Sequence, residues 1–181
     1  MIYLKKFEPS DFSQLIDWID SPKLNLQWGG PAFDYPLTKP QLEAYIKDAN
    51  HSGSSRYIYK VVLRESGRSI GHISLANIDL HHRSARIGKV LIGDKTIRGR
   101  GIGQLMIKEV LKKAFEDLNL HRVSLGVFDF NDSAIACYEK AGFRKEGLLR
   151  DCRKLGNEYW SMWEMSILES EYQRKIGDMP L

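Results

Sequence analysis

The 181-residue sequence predicts a mixed α/β fold with α+β character, on three observations. A short apolar segment, Val90-Leu91-Ile92, runs directly into a basic, glycine-rich turn that ends at Gly103. From Ile102 the period changes. Ile107, Val110, Leu111, Ala114, Phe115 and Leu118 recur at three- and four-residue spacing, which places them on one face of a helix. Two antiparallel strand pairs feed this strand–turn–helix unit, so one sheet must hold both kinds of pairing.

Taken in order, residues 2–7 alternate apolar and polar, as a half-buried strand does. Pro9-Ser10-Asp11 is a helix-start signal, and Phe12, Leu15, Ile16 and Ile19 mark a helix to about Asp20. Residues 21–40 read as irregular, punctuated by Pro22, Gly29, Gly30, Pro31, Pro36 and Pro40. They carry Trp28, Phe33 and Tyr35, an aromatic loop that either lines a cleft or packs over the core. Thr38 opens a second helix through Leu42, Tyr45 and Ile46 to about Asn50. Residues 57–64 and 69–78 are the strands of a hairpin around the turn Glu65-Ser66-Gly67-Arg68. Residues 86–92 form the next strand, and the helix after the glycine turn runs to about Leu118, with Lys108, Glu109, Lys112, Lys113 and Glu116 on its polar face. Residues 121–128 are a strand, Asp129 to Asp132 a turn with helix caps available, and residues 133–141 a helix ended by Gly142. Residues 143–150 and 159–168 are the last strands, a hairpin closed near Gly156-Asn157. With no repeat or low-complexity stretch, residues 1–181 are expected to be a single domain.

Composition narrows the class. Hydrophobic residues at 43% and charged residues at 28% make an ordinary soluble balance. No stretch approaches the roughly 18 apolar residues of a membrane helix, and the start Met1-Ile2-Tyr3-Leu4-Lys5-Lys6 lacks the regions of a signal peptide. A cytoplasmic protein with no membrane partner is expected. Cys137 and Cys152 offer neither a disulfide framework nor metal-ligand spacing, so no metal is expected. The net charge of +4 favours anionic ligands in general. It is too evenly spread for nucleic acid, and no lysine-rich block carries interleaved aromatics.

The glycine turn has a chemical meaning. A helix start presents unpaired N–H groups and partial positive charge. Gly99, Gly101 and Gly103 let a ligand approach the main chain, while Arg98 and Arg100 add fixed positive charge. Together they suit a phosphate or diphosphate; the bland reading is a tight turn with solvated arginines. The dinucleotide fingerprint does not fit, because Gly99-Arg100-Gly101-Ile102-Gly103 places its third glycine one position early. The triphosphate loop does not fit either, since Gly88-Lys89 is followed by Val90.

Arg98-x-x-Gly101-x-Gly103 does resemble the Q/R-x-x-G-x-G/A signature of the GNAT superfamily of acyl-CoA-dependent N-acetyltransferases. A second stretch, from Asn131 through Ala134, Tyr138, Lys140 and Gly142 to Phe143, is similar to that family's N-x-x-A-x-x-x-Y-x-K-x-G-F motif, one helix and one strand further on. The resemblance is specific over residues 88–145 and loose elsewhere, and it looks closest to ribosomal-protein N-acetyltransferases and polyamine acetyltransferases. It implies a GNAT-type central mixed sheet of about seven strands flanked by about four helices. It also implies acetyl-CoA as co-substrate, inserted between splayed parallel strands ending near Ile92 and Phe128. The cofactor-binding positions carried over are Leu91, Ile92, Gly93, Arg98, Gly99, Arg100, Gly101, Ile102, Gly103, Asn131, Tyr138 and Lys140. Main-chain N–H groups from Leu91 to Gly93 would polarise the thioester carbonyl.

The residues themselves support parts of this. Asn131 at a helix start can hydrogen-bond an amide of pantetheine. Tyr138 lies two turns on, on the same side, and a phenol with a pKa of about 10 stays protonated and can donate to a departing thiolate. Its bland alternative is a half-buried core tyrosine. Lys140 is a phosphate contact or a solvated lysine, and Cys137 a packing residue. The base departs from the family pattern. Gly126 stands where some relatives carry a glutamate, five residues before the motif asparagine, and Arg86 stands near where others carry one. His72 is the candidate base, because its ordinary pKa suits the task; the alternative is a water relay. Trp28, Phe33 and Tyr35 are the candidate acceptor contacts. A weakly equipped base site favours an amine that arrives neutral. An α-amine near pKa 8 is about a tenth neutral at pH 7, a lysine amine below roughly a thousandth. A protein N-terminal α-amine is therefore the expected acceptor. The alternatives are a polyamine or other small amine, a non-catalytic CoA-binding module, or a nucleotide-binding protein that uses the glycine loop. Exposed strand edges and the aromatic loop would allow a homodimer.

Overall fold

A computed structural model describes residues 1–177. Strands β1 (Ile2–Lys6), β2 (Tyr57–Leu63), β3 (Ser69–Asp79), β4 (Ser84–Ile92), β5 (Arg122–Phe128), β6 (Arg144–Leu155) and β7 (Glu158–Leu168) form one sheet in the order β1-β2-β3-β4-β5-β7-β6. Every neighbouring pair is antiparallel except β4 and β5. The helices are α1 (Phe12–Trp18), α2 (Pro22–Gly29), α3 (Lys39–Ile46), α4 (Ile102–Lys112), α5 (Asp132–Ala141) and α6 (Glu169–Gly177). The expected mixed fold and its seven strands are present. Among the described residues no helix is long and apolar enough to cross a membrane.

Alternating side chains divide the core into two layers. Ile73, Leu75, Ile87, Val123 and Leu125 pack with Met106, Ile107 and Val110 of α4. Ile58 and Leu91 pack instead with Phe12 and Leu15 of α1, Trp28 and Phe33, and Leu42 of α3. Neighbours such as Ile58 and Tyr59 feed different layers, so the layers lie on opposite faces of the sheet. Full burial of a side chain of this size contributes about 1.5–3 kcal/mol.

The described residues hold six helices where about four were expected, and the differences have local causes. Residues 21–40 are not irregular throughout. Ser21 caps α2 by accepting from the Leu24 amide at 3.2 Å, and Pro22 occupies its first turn, where a missing N–H costs nothing. A 3₁₀ turn, Gly30–Ala32, follows. Helix α1 stops at Trp18 and α3 at Ile46, where Lys47 turns extended with ψ 132°. Helix α4 ends at Lys112 and continues as one π-helical turn, Lys113–Asp117. Helix α6, which polarity hid, docks through Tyr172, whose ring stacks on Phe115 at 4.8 Å and whose hydroxyl donates to Glu116 at 2.8 Å.

Candidate active site

Strands β4 and β5 pair only from Ser84↔Arg122 to Arg86↔Ser124. Beyond Arg86 they part, although β4 continues to Ile92 and β5 to Phe128. From Ile87 onward the β5-facing edge of β4 has no strand partner, so its main-chain groups are open to a ligand. A bulge in the β3–β4 ladder shapes the same strand from its other edge. His72 pairs with Leu91 and Ser74 with Gly88, so β4 spends one more residue than β3 between those points. Lys89, at φ 52°, lies in the bulge.

The glycine turn stands at the open end of this gap. Asp94 holds its start by accepting from the Thr96 amide at 2.9 Å and pairing with Arg68 at 2.7 Å. Arg98 Nη2 donates to the Ile92 carbonyl at 3.0 Å, tying the turn to the end of β4. Gly101 caps α4 in the left-handed region, φ 74°, a conformation that other residues adopt only at a cost. A Cβ there, or at Gly99, would meet no protein atom within 4 Å. The main chain is thus exposed at the positive end of α4 with Arg100 exposed beside it, an arrangement suited to an anion. Gly103 lies inside the first turn of α4, its ideal Cβ 3.3 Å from Cys137 Sγ of α5. Cys137 therefore packs between the helices, and burial pushes its thiol pKa up.

Helix α5 packs against α4 where that helix begins. Asn131 caps it, its Oδ1 accepting from the Ala134 amide at 3.3 Å and the Ser133 hydroxyl at 3.2 Å, which leaves Nδ2 as a donor. Tyr138 is 7% exposed and packs against Phe143 with ring centroids 6.1 Å apart. Burial holds its phenol well above the ordinary pKa, so the group is a proton donor at any physiological pH. Lys140 is exposed on the last turn of α5.

The opposite face of the sheet carries the aromatic residues. Trp28 and Phe33 are buried and stacked at 5.0 Å, so they both pack over the core and wall this side of β4. Tyr35 is exposed, its hydroxyl donating to the Asp20 carbonyl at 3.2 Å. His72 is 1% exposed, between Phe7 and Trp28, and its Nε2 shares a hydrogen bond with the Tyr45 hydroxyl at 3.1 Å. Desolvation, with a smaller contribution from Lys89, pushes its pKa down to about 3. The sequence reading did not find Tyr45, Arg56 and Lys89 on this face. Lys89 Nζ lies 5.4 Å from the Phe33 ring centre and 5.3 Å from that of Tyr45, and the Trp28 indole donates to its carbonyl at 3.0 Å. Only the bulge turns it this way, and a bulge leaves no mark in hydrophobic periodicity.

Where β4 and β5 part, Arg86 bridges to β7. Its guanidinium donates to both Glu164 oxygens, Nη2 to Oε2 at 2.9 Å and Nη1 to Oε1, and to Ser124 at 3.3 Å. A Cβ at Gly126 would stand 2.7 Å from Arg86 Nη2. Gly126 is thus the room that Arg86 needs, and β7 brings Glu164 opposite it in register.

Comparison with known proteins matches residues 2–144 to the acetyltransferase (GNAT) domain family. The spermidine N(1)-acetyltransferase of Vibrio cholerae serotype O1 is 29% identical over 130 residues, 72% of each chain. The putative ribosomal N-acetyltransferase YdaF of Bacillus subtilis is 27% identical over 173 residues, 95% of this chain and 93% of that one. The crystal structure of spermidine N-acetyltransferase from Vibrio cholerae in complex with CoA and spermine superposes with a TM-score of 0.81 at 25% identity, covering 95% of this chain and 98% of that one.

Proposed function

The chain belongs to the GNAT acetyltransferase family, and we propose that it transfers the acetyl group of acetyl-CoA to a primary amine of low pKa, the α-amine of a peptide or protein N-terminus. The observation that carries this reading is the parting of β4 and β5 after Arg86 and Ser124, with the bare main chain of the glycine turn at its mouth. Acetyl-CoA supplies an acyl group activated as a thioester. The N–H groups of Gly99 to Gly103, with Arg98 and Arg100, are assigned to the diphosphate, and Lys140 to a flanking phosphate contact. Asn131 Nδ2 is assigned to pantetheine, and the β5-facing edge of β4 up to Ile92 to the thioester carbonyl; the Gly93 amide, expected to join it, instead donates to the Ile70 carbonyl at 2.9 Å.

The acceptor amine attacks the carbonyl carbon; the new C–N bond forms and the C–S bond breaks. Tyr138 gives its proton to the departing sulfur and recovers one from solvent, while the attacking nitrogen loses one. His72 was expected to receive that proton. With its pKa near 3 and its ring sealed among aromatics, it is a weak acceptor, which favours the water relay. Glu164 is held by Arg86 and is no freer to serve. Without a strong base the amine must arrive neutral, and an α-amine does so far more readily than a polyamine nitrogen of lysine-like basicity.

A second reading, acetylation of a polyamine, rests on the spermidine acetyltransferases among the relatives. Lys89 and Arg56 on the aromatic face count against a polycation. Self-association belongs to the same reading. Leu148, Leu149 and Tyr159 are exposed on the β6–β7 hairpin, and a neighbour of 25% identity and TM-score 0.76 is described as dodecameric. The test is thiol release from acetyl-CoA against a panel of N-terminal peptides, lysine-bearing peptides and spermidine. Preference for free α-amines is expected; preference for spermidine overturns the acceptor assignment.

A further inference from the structure

The face of the sheet behind the thioester strand holds an unusual combination of groups. Lys89 is half-buried beside Phe33 and Tyr45. Desolvation, and then Arg56, depress its pKa, as expected of a cation lacking a counter-charge. Among the described residues neither Lys89 nor Arg56 forms an ion pair with a carboxylate within 4.0 Å. Arg56 makes only a long contact, 3.5 Å, to the Tyr45 carbonyl. The ionic demand of the pair is therefore unmet among the described residues.

A second observation is independent of charge. Two buried side-chain atoms lack a hydrogen-bond partner among the described residues, Asn25 Oδ1 and His72 Nδ1. Both residues belong to this cluster. Asn25 Nδ2 donates to the Phe33 carbonyl at 2.9 Å, and the His72 ring lies 5.6 Å from that of Trp28. An orphaned buried polar atom costs about 1–3 kcal/mol. Both atoms lie in the aromatic layer that Lys89 joins, whose polar groups are thus incompletely satisfied among the described residues; Asn25 Oδ1 is an acceptor and calls for a donor, so a carboxylate answers the cations and not this atom. Lys89 belongs to the bulge of β4, two residues before Leu91, so the site adjoins the place assigned to the thioester carbonyl.

Resting on the acetyl-transfer reading above, we infer that this face selects acceptors carrying a carboxylate a few bonds from the reacting amine, held by Lys89 with Arg56 behind it. A lone partly buried ammonium matches a single negative charge, and its withdrawal from water strengthens the attraction. The same pair of cations repels a polycation. The carboxylate has two sources, the α-carboxylate of a free amino acid or the side chain of an N-terminal Asp or Glu.

Thiol release from acetyl-CoA tests this with matched acceptors: a peptide beginning with Asp against the same peptide beginning with Asn, free glutamate against its amides, and spermidine. The acid of each pair that is used should exceed its amide in kcat/KM by about tenfold or more, the size of one buried charge contact; which pair is used identifies the source. Lys89→Gln should bring that ratio to near one, and Lys89→Arg should largely restore it. Arg56→Gln should lower it less. CoA affinity unchanged within about twofold confirms that the variants fold, since the Trp28 indole bonds the main chain at Lys89 and not its side chain. Amides or spermidine used as well as acids, or an acid-to-amide ratio unmoved by Lys89→Gln, overturns the inference while leaving acetyl transfer intact. No thiol from any amine, with CoA bound, defeats the transferase reading instead.

Discussion

Replacing Gly101 by alanine separates the cost of a strained turn from the cost of an obstructed ligand site. Gly101 caps α4 at φ 74°, and a Cβ there would touch no protein atom within 4 Å. The protein penalty is therefore conformational, about 1 kcal/mol for an L-residue in the left-handed region. For a chain of this size that is a drop in Tm of about 2–4 °C. Gly67, in the β2–β3 turn at φ 66° and equally clear of neighbours, is the matched control. Gly67→Ala should lower Tm by the same amount. The two should differ in ligand response. With CoA at about 100 times the wild-type Kd, wild type and Gly67→Ala gain about 2.7 kcal/mol of stability. A methyl group between the diphosphate and the amides at Gly101 should weaken binding by about tenfold, and the gain falls to about 1.4 kcal/mol. Calorimetric Kd values and thermal melts with and without CoA measure both quantities. Equal CoA affinity in Gly101→Ala and Gly67→Ala refutes the assignment of the turn to the diphosphate.

Tyr138→Phe removes only the hydroxyl and keeps the ring packed on Phe143. Stability should change by less than about 0.5 kcal/mol, while kcat falls about 100-fold, the loss of a general acid; an unchanged kcat removes Tyr138 from that role. His72 predicts acid sensitivity. Its folded pKa of about 3 lies below the unfolded value of 6.5, so between these the unfolded chain binds the extra proton. Stability should thus fall with pH by about 1.4 kcal/mol per unit, to about 2 kcal/mol lower at pH 5 than at pH 8. Urea midpoints across that range check this, and an identical slope in His72→Gln contradicts it. Glu164→Gln leaves the Arg86 guanidinium without its ionic partner at side-chain exposures of 32% and 25%. A loss of about 1–2 kcal/mol, between surface and buried pairs, is expected in the same assay.

The sequence carries most of the framework because the framework is periodic. The strands and the long helices bury one side chain in two or one in three to four, and Val90 to Leu118 shows that change of period plainly. Helix α2 escaped because Pro22 and the Gly29-Gly30-Pro31 run look like loop punctuation. In the fold Pro22 opens the helix and Gly30 closes it. Helix α6 escaped because its buried side is chiefly one residue, Tyr172. The glycine turn, Asn131 and Tyr138 are legible as motifs because local backbone needs fix their spacing. The aromatic face is not. Asn25, Trp28, Phe33, Tyr45, Arg56, His72 and Lys89 come from five separate stretches. Lys89 joins them only because one extra residue in β4 reverses the side to which it points. Likewise, Glu164 can stand opposite Gly126 only once β7 is known to lie beside β5.

A crystal structure of the protein with CoA is the most direct measurement of the central claim. The expected result is a diphosphate on the main-chain N–H groups between Gly99 and Gly103, with the pantetheine arm passing between β4 and β5 towards Tyr138. A diphosphate bound anywhere else, or an arm lying outside the gap between those strands, would contradict it.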